Sequence, residues 1–243
     1  MKAILYKNLK NGIFRRSFIL ALMPFALLIP ILIEDKYSIL FSPEFKNMAI
    51  VLWEKMIFYI PFLFAISFGS YLIWANIFSD YYSKNISVFL ATPLRPIEWW
   101  LGEVLSISII VYLGSLISSC LLYILFLING VSLSINIFTV IYFTIIVPVF
   151  ILGINSFMGC LSIMFGGFLF MRSIISYLFI IPMTFFLWFL NNYVFDFENL
   201  NNAKLSFIPQ MSLIFFIVGV ILIVISYMLI RKIDNEKIVT KTV

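Results

Sequence analysis

The hydrophobic positions of this chain fall into six long runs that are separated by shorter polar stretches. One helical crossing of a bilayer needs about 20 apolar residues. From Val104 to Met171 the chain carries no Asp, Glu, Lys or Arg, and this run is long enough for more than one crossing. We therefore predict an all-α polytopic membrane protein with six transmembrane helices, at residues 17–33, 57–78, 104–128, 135–164, 174–195 and 209–230.

The charged residues between the runs predict the orientation. Six crossings place both termini on one side, and that side receives twelve Lys and Arg residues against four on the other. Basic residues concentrate in cytoplasmic loops, so we expect a multi-pass protein of the cell membrane with both termini in the cytoplasm. The net charge of +5 is then a topology signal, and we expect membrane lipid and not nucleic acid as a partner.

The two ends of the chain lie outside the predicted spans. Leu5, Leu9 and Ile13 recur at helical spacing, which predicts that residues 1–16 form an interfacial helix; a merely basic flank is the alternative. The sequence Ile33-Glu34-Asp35 offers no small-residue cleavage site, so a cleaved signal peptide is not expected. Residues 231–243 are predicted to form a cytoplasmic tail.

Several catalytic classes are excluded by residue types that are missing. The chain has no histidine, which removes zinc proteases and Ser–His hydrolases, and it has no Gly-rich phosphate-binding loop. No acidic residue falls in the middle of a predicted span, which disfavours an ion-coupled transporter. Cys120 and Cys160 lie in apolar runs and are interpreted as packing residues. We expect no enzymatic activity, no metal and no cofactor in this chain.

Other residues within the spans suggest packing or movement. Small residues at helical spacing let helix backbones approach closely, within one subunit or between two. They are Ser115, Ser119, Gly153, Ser156, Gly159 and Cys160. Asn155 is expected to hydrogen-bond to a neighbouring helix. Prolines free backbone carbonyls and either mark ordinary helix irregularity or act as hinges; they are Pro24, Pro30, Pro61, Pro148 and Pro182.

The connection between the second and third spans is short, polar and broken by prolines. We predict a helix over residues 83–91 that ends at Thr92-Pro93, because the residue before a proline is pushed out of the α region. Pro96 suits the first turn of the next helix, with Arg95 ahead of it. Trp99 and Trp100 are expected at the bilayer interface.

This connection resembles that of the type-2 permeases of ABC transporters. The resemblance lies in Asp80, in the turn Phe89-Leu90-Ala91-Thr92-Pro93, and in Glu98 followed by Gly102. The chain departs from the family pattern at Lys84-Asn85-Ile86-Ser87, where a Gly-Thr-Leu-Glu-like helix is expected, and at Glu103, where a lysine is expected. The motif covers about 25 residues, and the length and six predicted spans agree with the family over nearly the whole chain.

The resemblance implies that residues 1–243 form a single transmembrane permease domain of an ABC exporter. A cytoplasmic coupling helix between helices 2 and 3 would dock on a separate ABC ATPase subunit, which binds ATP and Mg²⁺. A second permease, identical or paralogous, would complete a dimer that forms the substrate pathway. The implied ATPase contact comprises Asp80, Lys84, Asn85, Ser87, Val88, Phe89, Thr92, Pro93 and Arg95.

Two other functions remain open from the sequence. The chain could be an ATP-independent channel or membrane scaffold, or a secondary transporter. The cargo is not encoded in any motif. Aromatic residues within the spans would suit a lipid-like, peptide or drug-like amphiphile, and the candidates are Tyr112, Tyr123, Tyr142, Phe157 and Trp188.

Overall fold

A computed structural model describes residues 61–62, 64–82, 95–128, 137–165 and 207–233 of the chain. All regular elements of these residues are helical. A π-helical turn, Phe64–Gly69, leads into α1 (Ser70–Tyr82), and α2 spans Pro96–Ile128. The short α3 (Ile137–Ile141), a second π-helical turn (Tyr142–Ile146) and α4 (Val147–Phe165) follow one another without a break, and α5 spans Phe207–Ile230.

Three of the described helices are long and apolar enough to cross a membrane. They comprise Pro96–Ile124, Ile137–Met164 and Ser212–Ile230, and they correspond to the predicted third, fourth and sixth spans. A shorter apolar helix, Ala65–Ile77, corresponds to part of the predicted second span. The first and fifth predicted spans and the helix at residues 1–16 lie outside the described residues. The all-helical, membrane-embedded character of the prediction is therefore confirmed at the level of these helices.

The third span begins earlier than predicted. α2 starts at Pro96, eight residues before Val104, and its first two turns already place Trp99, Trp100 and Glu103 in the core. Pro96 does take the first helical position, as expected: the Arg95 carbonyl accepts the N–H of Glu98 (2.9 Å) and of Trp99 (3.2 Å). Proline fits there because the first N–H of a helix has no intrahelical partner.

α4 is the central helix of the described bundle. Asn155 and Gly159 contact α1 and α2, and Gly153 contacts α5. A Cβ built on Gly153 would lie 2.5 Å from the carbonyl oxygen of Gly219, so the backbones of α4 and α5 cross directly at these two glycines. Close crossings of this kind are a general way for membrane helices to gain packing energy.

Paired residues along the helices give their relative directions. Gly69 of the first π-helical turn faces Asn155, and Ile73 of α1 faces Gly159, so α1 and α4 run in the same direction. On α2 the order is reversed, since Ser108 bonds Asn155 whereas Trp100 lies at Gly159. α5 runs with α4.

Aromatic stacking supports the direction of α5 and adds to the core. Phe62, Phe150 and Phe215 form a triangle whose ring centroids are 5.1–5.4 Å apart. Phe150 and Phe215 precede Gly153 and Gly219 in their respective helices, which confirms that α4 and α5 are parallel. Spacings of this size are typical of favourable aromatic pairs.

Candidate functional site

Of the predicted ATPase contact, the structure describes only the first residue, Asp80, and the last residue, Arg95. Asp80 lies in the last turn of α1 and is 5% exposed, whereas Arg95 is exposed immediately before α2. The intervening residues of the prediction, Lys84 to Pro93, lie outside the described residues. The two described residues therefore differ: Arg95 is accessible to a partner, and Asp80 faces the interior of the bundle.

The start of α2 is anchored by two tryptophans. Trp99 and Trp100 are each only 1% exposed, so both rings face the interior of the bundle, and their position at the bilayer interface stays a prediction. Gly159 of α4 has no side chain and leaves room for the indole ring of Trp100. A Cβ on Gly159 would lie 3.1 Å from Nε1 of Trp100 and 3.2 Å from Cδ1 of Ile73.

Gly159 is thus the point at which three helices meet. Trp100 and Val104 reach it from α2, and Ile73 reaches it from α1. α1 and α2 are the helices on either side of the connection at 83–94. A displacement of that connection would act on both helices and, through Gly159, on α4.

A polar contact between helices lies one turn above this junction. The side-chain amide Nδ2 of Asn155 donates a 3.0 Å hydrogen bond to Oγ of Ser108, and Asn155 is fully buried. This confirms the prediction that Asn155 bonds to a neighbouring helix. Its Oδ1 has no hydrogen-bond partner among the described residues and lies against Gly69, where any larger side chain would displace it.

Four of the buried serines in α2 and α4 bond within their own helix. Ser106 donates to the Glu103 carbonyl, Ser115 to that of Tyr112, and Ser118 to that of Gly114, all at 2.8–2.9 Å. Ser162 does the same with the Met158 carbonyl at 2.8 Å. Such bonds satisfy a hydroxyl without a partner on another helix. These serines therefore make the interior less apolar without forming a binding site.

Glu103 is the functional candidate that the sequence analysis missed. It was assigned to the connection before the third span, but the structure places it in the second helical turn of α2, 1% exposed. Its position four residues after Trp99 puts both side chains on the buried face of the helix. Ionisable residues buried within membrane helices commonly mark transport pathways or conformational couplings.

The predicted cargo-facing aromatics differ in burial. Tyr142 lies in the buried core, and Tyr112 and Tyr123 pack against that core. Phe157 is half-buried, and Trp188 lies outside the described residues. The hydroxyl of Tyr112 donates a 3.0 Å bond to the carbonyl of Phe143. A role of these aromatics in binding cargo stays a prediction.

Metal binding has no candidate site in the described ranges. They contain no group of three or more His, Cys, Asp or Glu side chains that could hold an ion. Both cysteines are free; Cys160 is buried as expected for a packing residue, whereas Cys120 is exposed on α2.

Comparisons of the chain with models of protein families, with curated proteins and with solved structures found no match. The described residues provide a buried junction at Gly159, one interhelical amide–hydroxyl bond and one buried carboxyl group. From these features together with the three long apolar helices, we conclude that the chain is a helical membrane protein.

Proposed function

We propose that this chain is the transmembrane permease subunit of an ATP-driven ABC exporter. It works as a dimer, with an identical or paralogous second permease, and a separate cytoplasmic ATPase subunit binds ATP and Mg²⁺ and drives it. The observation that carries the proposal is the sequence from Asp80 to Gly102, with its Thr92-Pro93 turn. That sequence resembles the segment by which type-2 permeases contact their ATPase.

The packing around this segment supports a mechanical role for it. Asp80 before the segment, and Trp99 and Trp100 after it, are buried in the bundle. A connection with loosely held ends would absorb the push of a partner without moving the helices. Here the helices on both sides converge on Gly159, so a movement at 83–94 is transmitted to α4.

The helix directions support the proposed topology. In a six-span protein the second, fourth and sixth spans cross in one direction and the third crosses in the other. α1, α4 and α5 are parallel and α2 is opposite to them, which is the pattern that these four spans require. Both termini are then on the side of the 83–94 connection, in the cytoplasm, where the excess of basic residues lies.

The test is to disrupt the apolar part of the proposed contact. Replacing Val88 and Phe89 together by Asp places two charges in an interface that must exclude water. An unpaired buried charge costs several kcal/mol, which lowers affinity by orders of magnitude. We expect normal insertion and expression, but loss of co-purification with the ATPase and loss of ATP-dependent transport.

A matched control is available in the predicted tail. Replacing Ile238 and Val239 by Asp makes the same chemical change, on the same side of the membrane, outside the proposed contact. This variant should retain the ATPase. A Val88/Phe89 variant that also keeps a full complex and full transport would refute the proposed contact. ATP hydrolysis by the purified chain alone would refute the assignment of ATP hydrolysis to a separate subunit.

The burial of Glu103 favours a second candidate function, that of an ion-coupled secondary transporter. The sequence disfavoured this class because no acidic residue falls in the middle of a predicted span, yet Glu103 is buried in the second turn of α2. Transport by the chain alone in liposomes, driven by a proton or cation gradient and abolished by Glu103→Gln, would favour this candidate over the exporter. Transport that requires the ATPase would exclude it.

A further inference from the structure

The helix from Ile137 to Phe165 changes its hydrogen-bond register just before a proline. Between α3 and α4 the backbone forms the π-helical turn Tyr142–Ile146. The N–H of Val147 donates to the carbonyl of Tyr142, five residues back, instead of that of Phe143, four residues back. Single π-helical turns of this kind often occur at functional positions in helices.

This register takes the α-helical donor away from the carbonyl of Phe143. Phe143 loses the N–H of Val147 to Tyr142, and the next N–H along the chain is missing because residue 148 is proline. The hydroxyl of Tyr112 on α2 donates a 3.0 Å hydrogen bond to this same carbonyl. Satisfying a carbonyl freed by proline from a neighbouring helix is favourable where water is excluded.

The two sides of the turn are packed very differently. α3 contains no buried residue, and Ile137 is 80% exposed. After the turn, Ile151, Asn155 and Cys160 of α4 are all fully buried. The second side is fixed by the Gly153–Gly219 crossing and by Asn155, whereas Tyr112 holds the end of the first side.

We propose that the turn Tyr142–Ile146 is a hinge and that the hydroxyl of Tyr112 is the latch that holds it in the conformation described. When the latch opens, the segment 137–146 pivots while α4 stays fixed against α5. The inference rests on the contacts of α2 with this helix and is independent of an ATPase partner. It identifies Tyr112 as a positioning residue and not as a cargo ligand.

The test is hydrogen–deuterium exchange of the full-length chain in lipid nanodiscs, resolved by peptide. Tyr112→Phe removes the hydroxyl and keeps the ring. We expect exchange within 137–146 to rise about threefold, the effect of losing one average interhelical hydrogen bond in a membrane protein. Peptides from 150–163 should be unchanged. Tyr227→Phe makes the same substitution at an exposed tyrosine of α5 and should change neither region.

A second variant tests the role of the proline. Pro148→Ala restores an N–H that can bond within the helix, so exchange within 137–146 should fall below that of the natural chain. In this background Tyr112→Phe should no longer have an effect. If the Tyr112→Phe variant does not fold, the Pro148→Ala measurement alone tests whether the proline loosens the segment 137–146.

Three results with Tyr112→Phe would overturn the hinge. They are unchanged exchange in 137–146 after Tyr112→Phe, an equal rise in 137–146 and 150–163, and a Tyr112→Phe effect that is as large in the Pro148→Ala background as in the natural chain. The first result would mean that the Tyr112 hydroxyl does not stabilise the turn. The second would mean that it stabilises the whole helix. The third would mean that its hydrogen bond does not compensate for the N–H that Pro148 lacks. Unchanged or faster exchange in Pro148→Ala would likewise reject the proposal.

Discussion

Gly153 of α4 and Gly219 of α5 are in backbone contact, since a methyl group on Gly153 would lie 2.5 Å from the carbonyl oxygen of Gly219. In the reverse direction, a methyl group on Gly219 would lie 2.9 Å from the Val149 carbonyl oxygen and the Phe150 Cα. Backbone atoms cannot rotate away as a side chain can. The two helices must therefore separate to accept any larger residue at either position.

Replacing either glycine by alanine should destabilise the protein. Overpacking of a well-packed core typically costs about 1–3 kcal/mol, and the rigid neighbours place Gly153→Ala toward the upper part of that range. Gly159→Ala should cost less, because its neighbours are side chains at 3.1–3.3 Å that can shift slightly. Unfolding of the purified variants in detergent measures the difference. Equal losses at the two positions would show that the backbone crossing has no special role.

The bond between Asn155 and Ser108 should be measurable as a coupling. Asn155→Ala and Ser108→Ala each remove one partner, and the double variant removes both. Interhelical hydrogen bonds in membrane proteins average about 0.6 kcal/mol with a maximum near 1.7 kcal/mol, and we expect the upper part of this range because the pair is fully buried. A double-mutant cycle on the free energy of unfolding gives the value. Additive single effects would mean that the two side chains do not interact.

The serines of α2 that bond their own helix should tolerate alanine. Ser118→Ala removes a hydroxyl and its bond to Gly114 together, so no unsatisfied donor remains on another helix. We expect a change within about 0.5 kcal/mol, the range of substitutions that disturb no special interaction. The same unfolding assay applies. A loss as large as that of Asn155→Ala would reveal a contact between helices that these serines are not expected to make.

The topology predicts opposite accessibility for two asparagines outside the described residues. In a chain with Cys120 and Cys160 replaced, a cysteine at position 201 should react with an impermeant reagent applied to intact cells. A cysteine in place of Asn235 should react only after the membrane is opened, because the twelve basic residues predict that its side of the membrane is the cytoplasm. The reverse pattern would overturn the orientation.

The sequence predicted the helices that depend on local properties. The uncharged run after Glu103 and the apolar run at 209–230 became α2, α4 and α5, because hydropathy and charge act residue by residue. The position of Pro96 at the start of α2 was also correct, since the constraint of a proline ring is local.

The sequence was less informative about residues whose environment is set far along the chain. Trp100 was expected at the bilayer interface, but its burial depends on Gly159, more than fifty residues later, which leaves space for its indole ring. The burial of Glu103 in the second turn of α2 was not predicted. Likewise, the sequence drew attention to Pro148 as one of five prolines but not to Tyr112 as the donor beside it. The proposed contact at 84–93 stays a prediction, because it lies outside the described residues.

The parallel course of α1, α4 and α5 also has an electrostatic consequence. Each helix carries the equivalent of about half a negative charge at its C-terminal end, and three such ends point to the same side of the bundle. Only α2 opposes them among the described long helices. Arg231 and Lys232 follow α5 directly and are exposed, and positive charges are favourable at this end of a helix. The backbone itself thus attracts cations to the side on which the sequence concentrates its basic residues, so that macrodipole and side-chain charge favour the same orientation of the chain.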